Sequence, residues 1–412
     1  MSLTRRTFVQ RLSASGLLAM GALPPRFLCR AAHAAESGVS STAGRVLVLV
    51  QLEGGNDGLN TVIPFGDDAY YRARPGLGVA REAVLKLDDY HGLHPSLTGF
   101  KELFDEGALS IVQGVGYPNP DRSHFRSMDI WHSARPESVR IETGWLGRAL
   151  DATAAQHEAK APALALGMER LPLALVAAKI NVPLITDLAS YELRLAEGSE
   201  TDRAAMRARL LQSAELPVGD AAELKFLTST ARSAYQSAEK LRAVMGSYQP
   251  AVEYPGNALA QQLKLIAQIV ASEAETRIFF VSLGGFDTHA DQAAAHAALL
   301  TELSSACRAF YQDLAGHGLQ ERVLLATFSE FGRRVKENGS LGTDHGAASQ
   351  MFVVSPGRAG LRGKHPSLED LTDGDLKHHT DFRSVYATLL DKWLELPSEP
   401  VLGERFAMLD FV

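Results

Sequence analysis

The chain has 412 residues and a formal net charge of −7, from 41 Lys and Arg against 48 Asp and Glu. A chain with this acidic balance lacks the basic face that binding to phosphate backbones requires, so we expect no nucleic-acid partner. Its length allows one large α/β domain with an ample hydrophobic core.

The first 34 residues are organised like an export signal. A twin-arginine core, Thr4-Arg5-Arg6-Thr7-Phe8-Val9, precedes a mildly apolar stretch at residues 12–23 and a small-residue site, Ala32-His33-Ala34. This order is typical of a secretory signal, and the arginine pair indicates the Tat route; the alternative is an amphipathic N-terminal helix. We therefore predict a signal peptide at residues 1–34, the Tat translocon as a partner during export, and a periplasmic or secreted protein.

Removal of that segment would change the chain in two ways. Five arginines and no acidic residue would be lost, so the net charge would fall from −7 to −12. One cysteine, Cys307, would remain, which excludes an internal disulfide and leaves stability to the core. The apolar stretch is also shorter than the about 20 residues of a membrane span, so we expect no stable membrane anchor.

Along the rest of the chain, short runs rich in β-branched residues and leucine alternate with longer helical patterns. This alternation predicts an α/β fold with a mostly parallel central sheet and helices on both faces. The predicted strands are Val46 to Leu52, Leu109 to Val115, Ala163 to Leu166, Arg277 to Leu283, Val323 to Phe328 and Met351 to Val354. Apolar residues at three- and four-residue spacing predict helices over Ala258 to Glu273 and Ala293 to Leu314.

One segment breaks this alternation. Residues 191–246 are rich in Ala, Glu, Arg and Leu and contain no plausible strand. We predict a helical insertion there, within a single domain at residues 35–412.

Polar side chains follow the ends of four predicted strands, several of them in glycine-rich turns. They are Asp57 after the first strand; Ser123, His124 and Ser127 after the second; Asp287 and His289 after the fourth; and Glu330, Arg333, Asp344 and His345 after the fifth. In open α/β sheets, ligands bind beyond the carboxyl ends of the strands. We therefore expect a functional site to be built from these side chains.

Each of these residues also has a purely structural interpretation. Asp57 could bond its own turn backbone, and Glu330 could pair with Arg333 across one helical turn. Asp287 and His289 are two positions apart, so in an extended segment their side chains project to the same side and could reach one metal. Taken together, mixed carboxylates and imidazoles favour divalent metals, and two such metals can clamp the attacking and leaving oxygens of a displacement.

Other catalytic motifs are missing from the sequence. GGNDGLN is neither G-x-G-x-x-G nor a P-loop, and the serine-hydrolase elbow G-x-S-x-G does not occur. The sequence also carries no haem, iron–sulfur or dinucleotide motif, which argues against a redox protein. Divalent-metal chemistry is the interpretation that remains, with Zn, Mn, Fe, Mg or Ca as the candidate ion.

Five ordered features together resemble a known family. After the twin-arginine signal come VLVQLEGGNDGLNTVIP, GYPNPDRSHFRSMDIW, LGGFDTHADQ and TFSEFGRR…GTDHGAAS, and this set is similar to domain of unknown function 1501. That family is grouped with the alkaline-phosphatase-like superfamily, alongside sulfatases and cofactor-independent phosphoglycerate mutases. The resemblance covers nearly the whole chain and implies an alkaline-phosphatase-like fold with its site at the strand ends.

The resemblance also implies roles for individual residues. Asp57 matches a metal-ligating aspartate after the first strand. Ser123 or Ser127 lies where the superfamily carries its nucleophile, and Ser123 is favoured because it opens the segment SHFRSMDIW. Asp287 and His289 resemble a later metal-binding pair.

The last motif matches the superfamily less regularly. His345 resembles the final histidine ligand, and Asp344 beside it is also a candidate metal ligand. Glu330 is a further candidate ligand, and Phe331 stands where a histidine ligand is expected.

Three more residues are candidates for catalysis or anion binding. His124 could be a metal ligand, a base or a capping partner at a helix start. Arg126 and Arg333 could hold an oxyanion through paired hydrogen bonds; the structural alternative for each is a solvated or ion-paired arginine.

Two functions follow as hypotheses. The first is an exported metal-dependent hydrolase that acts on a small anionic phosphate or sulfate ester, in which the metal activates Ser123 or a water. The second is a non-catalytic exported protein that binds a ligand or partner on the same fold. Metal analysis and ester-hydrolysis assays distinguish the two.

Overall fold

A computed structural model describes residues 44–135, 142–153, 162–185, 248–272, 275–357 and 359–412. The predicted signal peptide and the predicted helical insertion at residues 191–246 lie outside these residues. Within the described part of the chain, no helix is both long and apolar enough to cross a membrane.

The described residues form short strands and helices that alternate along the chain. The strands are β1 (Val46–Glu53), β2 (Val62–Ile63), β3 (Leu85–Lys86), β4 (Gly92–Leu93), β5 (Leu109–Gly116), β6 (Ala163–Leu166), β7 (Leu184–Ile185), β8 (Ile278–Gly284), β9 (Val323–Phe328), β10 (Ser349–Val354), β11 (Gly360–Arg362), β12 (Leu371–Thr372), β13 (Asp375–Leu376) and β14 (Thr380–Asp381). The α-helices are α1 (Gly58–Thr61), α2 (Asp68–Ala73), α3 (Thr98–Asp105), α4 (His124–Ser133), α5 (Trp145–Ala152), α6 (Ala258–Ala271), α7 (Gln292–Gly316), α8 (Phe382–Thr388) and α9 (Ser398–Leu402). Two 3₁₀ turns (Leu173–Leu175, Gln320–Arg322) and a π-helical turn (Leu389–Leu394) complete the set.

Nine strands form one mostly parallel sheet, as predicted. Its order is β11-β5-β10-β9-β1-β8-β6-β7, and β14 also pairs with β5. Strand β1 is parallel to both of its neighbours, β8 and β9. Strand β10 runs antiparallel to both β5 and β9, because the chain turns back across the loop at residues 329–348 and returns beside β9.

The sequence of β1 explains why the sheet lies in the middle of the domain. Val46, Val48 and Val50 pack into the core on one face, and Leu47 and Leu49 pack into the core on the other. A strand buried on both faces reads as a continuous apolar run, as this one does. Helices α3, α6 and α7 cover the first face, and α4, α5, α8 and α9 cover the second.

The predicted strands and helices agree with the structure to within two residues at nearly every end. The carboxyl ends of β1, β5, β8 and β9 lie at one edge of the sheet, where the antiparallel β10 begins. The loops at that edge carry the predicted polar residues.

Candidate metal centre

The glycines at the end of β1 allow three strand-end loops to touch. Gly54 and Gly55 have φ angles of +117° and +75°, which side-chain-bearing residues rarely adopt. A Cβ atom on Gly54 would lie 2.4 Å from the backbone nitrogen of Asp287, and one on Gly55 would lie 2.3 Å from the Phe331 ring. The carbonyl groups of both glycines accept hydrogen bonds from Arg333. The double glycine is therefore needed for close packing of the loops.

Four side-chain atoms converge at this edge of the sheet: the Nε2 atoms of His124, His289 and His345, and Oδ1 of Asp287. Asp287 Oδ1 lies 3.4 Å from His124 Nε2, 3.0 Å from His289 Nε2 and 3.1 Å from His345 Nε2. The Nε2 atoms of His289 and His345 are 2.9 Å apart. We call these four residues the imidazole–carboxylate cluster.

The opposite nitrogen of each imidazole faces an acceptor. His124 Nδ1 lies 2.8 Å from Oε1 of Glu330, His345 Nδ1 lies 2.8 Å from the carbonyl oxygen of Arg122, and His289 Nδ1 lies 3.5 Å from Oδ1 of Asp344. A neutral imidazole that donates from Nδ1 presents a lone pair at Nε2. These contacts therefore turn the three Nε2 lone pairs toward Asp287 Oδ1, and the ligand atoms of His124, Asp287 and His345 all lie within 4.8 Å of one another.

Converging acceptors of this kind suit a cation. His124 Nε2 is buried and has no hydrogen-bond partner, a state that proteins rarely leave uncompensated. Ligand atoms about 2.1 Å from a tetrahedral Zn²⁺ lie roughly 3.4 Å from one another, close to the observed separations. Imidazole nitrogens with one carboxylate favour Zn, Fe or Mn over Mg or Ca. The donor set and its spacing thus fit one divalent transition metal.

Asp287 is held ionised at the centre of this cluster. Arg333 Nη2 donates to its Oδ1 at 2.7 Å. Partial burial alone would raise the pKa of Asp287, but the hydrogen bond and positive charge of Arg333, together with the contacts that His345 and His289 make with the carboxylate, lower the pKa to about 2. The carboxylate is therefore available as an anionic ligand across the physiological pH range.

Glu330 supports the cluster from behind His124. Its side chain is fully buried, and its Oε1 accepts from the Gly54 backbone N–H at 2.9 Å as well as from His124. We predicted Glu330 as a metal ligand; the structure instead places its carboxylate on the far side of the His124 ring. Such carboxylate–histidine pairs orient the ligand and raise its basicity.

Two further carboxylates predicted as ligands, Asp57 and Asp344, are also outside the cluster: Asp344 faces Nδ1 of His289, and Asp57 lies in a separate network. It is buried and ion-paired with Arg74, and it also accepts from Gln292 Nε2 and from the Asn60 backbone N–H. Burial alone would raise its pKa, but Arg74 and the other contacts outweigh that effect and lower it. Its carboxylate therefore caps α1 and joins a buried polar network.

The two candidate nucleophiles lie in different settings. Ser127 is buried, and its Oγ donates to the Glu330 carbonyl and lies 3.1 Å from the Tyr117 hydroxyl. Ser123 is exposed at the start of α4, where its backbone N–H donates to Asp121 Oδ1 at 2.7 Å. In the described part of the chain, neither hydroxyl hydrogen-bonds to a histidine or a carboxylate side chain.

The predicted anion-binding arginines also differ in position. Arg333 is 1% exposed, and its guanidinium donates to four backbone carbonyl groups besides Asp287. Its donors are therefore directed into the protein. Arg126 is half-buried in the first turns of α4.

Three residues that were not predicted as ligands or catalytic groups complete the surroundings of the site. The Phe331 ring packs 4.9 Å from the His124 ring and 4.7 Å from the His345 ring, and so forms an apolar wall of the cluster. Arg74 and Gln292 complete the Asp57 network from distant positions in the chain. Phe331 had drawn notice only as a departure from the family pattern, and an ordinary Arg or Gln in a sequence gives no signal of such a contact.

The protein is thus an α/β protein with a mostly parallel sheet, and it carries a candidate metal centre at the carboxyl ends of the strands. Within that class, the chain belongs to the family described as "Protein of unknown function (DUF1501)", whose sequence model matches residues 110–358. This match confirms the family predicted from the motifs. No curated protein matches the chain.

Solved structures of the alkaline-phosphatase and sulfatase group resemble the chain at low identity. A sulfatase from Pseudoalteromonas sp. has 13% identity and a TM-score of 0.38, covering 94% of this chain and 75% of its own. An alkaline phosphatase superfamily protein from Vibrio parahaemolyticus has 10% identity and a TM-score of 0.39, covering 87% and 69%. The zinc complex of the C-terminal periplasmic domain of EcEptC from Escherichia coli has 10% identity and a TM-score of 0.38, covering 78% and 74%. At these values the similarity carries no inference about the chemistry of this chain.

Proposed function

We propose that this protein is an exported metal-dependent hydrolase of phosphate or sulfate esters. The observation that carries the proposal is the convergence of three imidazole Nε2 atoms on Asp287 Oδ1 within 3.0 to 3.4 Å. The choice of ester follows from the family resemblance of the sequence, and the export route from its twin-arginine signal.

The residues of the cluster have distinct tasks in this proposal. His124, His289, His345 and Asp287 would hold the ion. A divalent cation held there would supply Lewis acidity toward an ester oxygen. Glu330 and the Arg122 carbonyl group fix the rings of His124 and His345, so the ligands need little rearrangement.

The cluster is also accessible to a substrate. The side chains of Asp287 and His289 are 47% and 45% exposed, and those of His124 and His345 are partly buried. A fully enclosed four-ligand site is typical of a structural metal, whereas catalysis requires access to the ion. A catalytic ion also needs a coordination position beyond its protein ligands, and the exposure on one side of the cluster leaves room for such a position, which favours a catalytic role.

The first test is metal analysis of protein purified without chelator, followed by hydrolysis assays on aryl phosphate and aryl sulfate. We expect about one equivalent of a transition metal, and ester hydrolysis that is lost on chelation and restored by the same metal. His345→Ala should lose both, while His379→Ala, a change at an exposed histidine outside the cluster, should keep both. Protein without any bound metal would contradict the proposal.

A non-catalytic binding protein on the same fold is the second candidate. It is favoured by the two serines, because neither hydroxyl contacts a side-chain base among the described residues. Bound metal without hydrolysis of either ester would support this candidate. Loss of hydrolysis in Ser123→Ala with unchanged metal content would instead identify Ser123 as the nucleophile.

A further inference from the structure

Two arginines share one buried carboxylate beside the imidazole–carboxylate cluster. Asp375 is 2% exposed, and its Oδ2 accepts from Arg122 Nε at 2.7 Å and from Arg122 Nη2. Its Oδ1 lies 3.8 Å from Arg334 Nε and has no hydrogen-bond partner. The three side chains together carry one surplus positive charge.

Short backbone contacts tie both arginines to the cluster. The Arg122 carbonyl oxygen accepts from His345 Nδ1 at 2.8 Å, and the Arg334 backbone N–H donates to the Asp344 carbonyl oxygen at 3.0 Å. Arg333, the neighbour of Arg334, pairs with His345 in an isolated antiparallel bridge. The arginine pair is therefore built on the same loops that position the ligands.

The pair retains donors that can reach a ligand. The side chains of Arg122 and Arg334 are each 37% exposed. The guanidinium of Arg334 makes no hydrogen bond to any described residue, since its contact with Asp375 is an ion pair at 3.8 Å. Arg333, by contrast, directs its guanidinium to five acceptors inside the protein.

The net charge around the metal centre indicates that an anionic substrate needs a separate cationic group nearby. Asp287, Glu330 and Asp344 bring three negative charges to the cluster, and Arg333 brings one positive charge. A divalent cation would balance the remainder and leave the cluster neutral. An anionic ester would then gain its electrostatic attraction from outside the cluster, and the arginine pair is carried by the segments whose backbone contacts His345 and Asp344.

We propose that Arg122 and Arg334 form an anion-binding subsite that holds the phosphate or sulfate group of a substrate next to the metal centre. This inference rests on the proposed function and assigns substrate binding to a different pair of arginines than the sequence suggested. Guanidinium groups suit tetrahedral oxyanions because their planar forks donate two hydrogen bonds to one anion. Asp375 positions Arg122 by fixing one edge of its guanidinium.

The test measures binding of inorganic phosphate by calorimetry to metal-loaded and to chelated full-length protein. We expect Arg334→Gln to raise the phosphate Kd about tenfold or more, as for the loss of a charge-assisted hydrogen bond. Its metal content and thermal unfolding should stay unchanged. The matched control is Arg405→Gln, which removes a highly exposed arginine paired with Glu399 and should change the Kd less than about twofold.

Arg122→Lys is the second variant, because it keeps a cation near buried Asp375 but loses the planar guanidinium that can donate two hydrogen bonds to one anion. It should weaken phosphate binding more than Arg405→Gln does. A phosphate Kd in Arg334→Gln equal to that of the wild-type protein would overturn the proposal that this pair binds the anion. The lack of phosphate binding by metal-loaded wild-type protein would overturn it too. Metal-free purified protein would contradict the proposed function instead, and the chelated samples would still decide whether Arg334 binds the anion.

Discussion

Glu330 and His124 are joined by a hydrogen bond of 2.8 Å between Oε1 and Nδ1, although they lie 206 positions apart in the sequence. The same oxygen accepts from the Gly54 backbone N–H at 2.9 Å. One buried carboxylate oxygen thus links the start of α4 to the end of β1. This link fixes the ring that directs an unpartnered Nε2 toward Asp287.

The role of Glu330 is tested by Glu330→Gln. The amide keeps the volume of the side chain but loses the charge that strengthens the His124 hydrogen bond. We expect about 10- to 100-fold weaker metal binding, the usual effect of changing an outer-shell partner. Metal Kd from competition with a chromophoric chelator is the measurement. Glu321→Gln, at an exposed position, is the control. An equal loss of metal affinity in both variants would contradict the role of Glu330 as the partner of His124.

Asp57 and Asp287 should respond differently to the same substitution. Asp57→Asn leaves Arg74 buried without its ion-pair partner, so we expect a loss of about 3–5 kcal/mol in unfolding free energy. The folded protein should still bind metal. Asp287→Asn should lose metal with a smaller loss of stability, because the side chain is half-exposed. Metal analysis and urea denaturation of both variants measure these effects. Loss of metal in folded Asp57→Asn would show that Asp57 is a metal ligand after all.

Gly55→Ala tests the packing of the strand-end loops. The added methyl group would meet the Phe331 ring at 2.3 Å and would hold a side-chain-bearing residue at a φ of +75°. We expect the unfolding free energy to fall by about 1–3 kcal/mol from the backbone conformation alone. Gly256→Ala is the matched control, since its methyl group would meet nothing within 4 Å. Equal stability of the two variants in urea would argue against the close approach.

Stability should decrease as the pH falls from about 6.5 toward 4. Burial lowers the pKa of His132 to about 3, and burial, partly offset by Asp57, lowers the pKa of His296 to about 4. The unfolded chain, with ordinary pKa values near 6.5, takes up protons in this range that the folded protein does not. Each of these two histidines should therefore lower the unfolding free energy by up to about 1.4 kcal/mol for each pH unit of acidification.

Urea denaturation at a series of pH values measures this slope. His132→Gln removes one titrating group at a position that is hydrogen-bonded to Gln51, and it should reduce the slope while leaving the His296 contribution. A stability that rises on acidification over this range would contradict the buried neutral state of both rings.

Elements with strong periodicity were predictable in position and type. Ala163–Leu166 and Val323–Phe328 are strands over the predicted residues, and α6 and α7 match their predicted ranges within two residues. In each of these elements the pattern of apolar residues in the sequence matches the positions that are buried in the structure. The direction of β10 was not predictable in this way, because antiparallel pairing depends on where the preceding loop returns the chain.

Six strands of the main sheet, helices α6 and α7, and the polar residues at the strand ends were predictable from the sequence, because apolar periodicity and glycine-rich turns are local properties. Which polar side chains contact one another became visible only in the folded arrangement of the loops. It joined His124, Asp287 and His345, placed His289 beside His345, set Glu330 behind the His124 ring, and paired Asp57 with Arg74. These pairings depend on distances of 3 Å between residues tens to hundreds of positions apart, and a side chain's partner, unlike its identity, is fixed only when the loops pack.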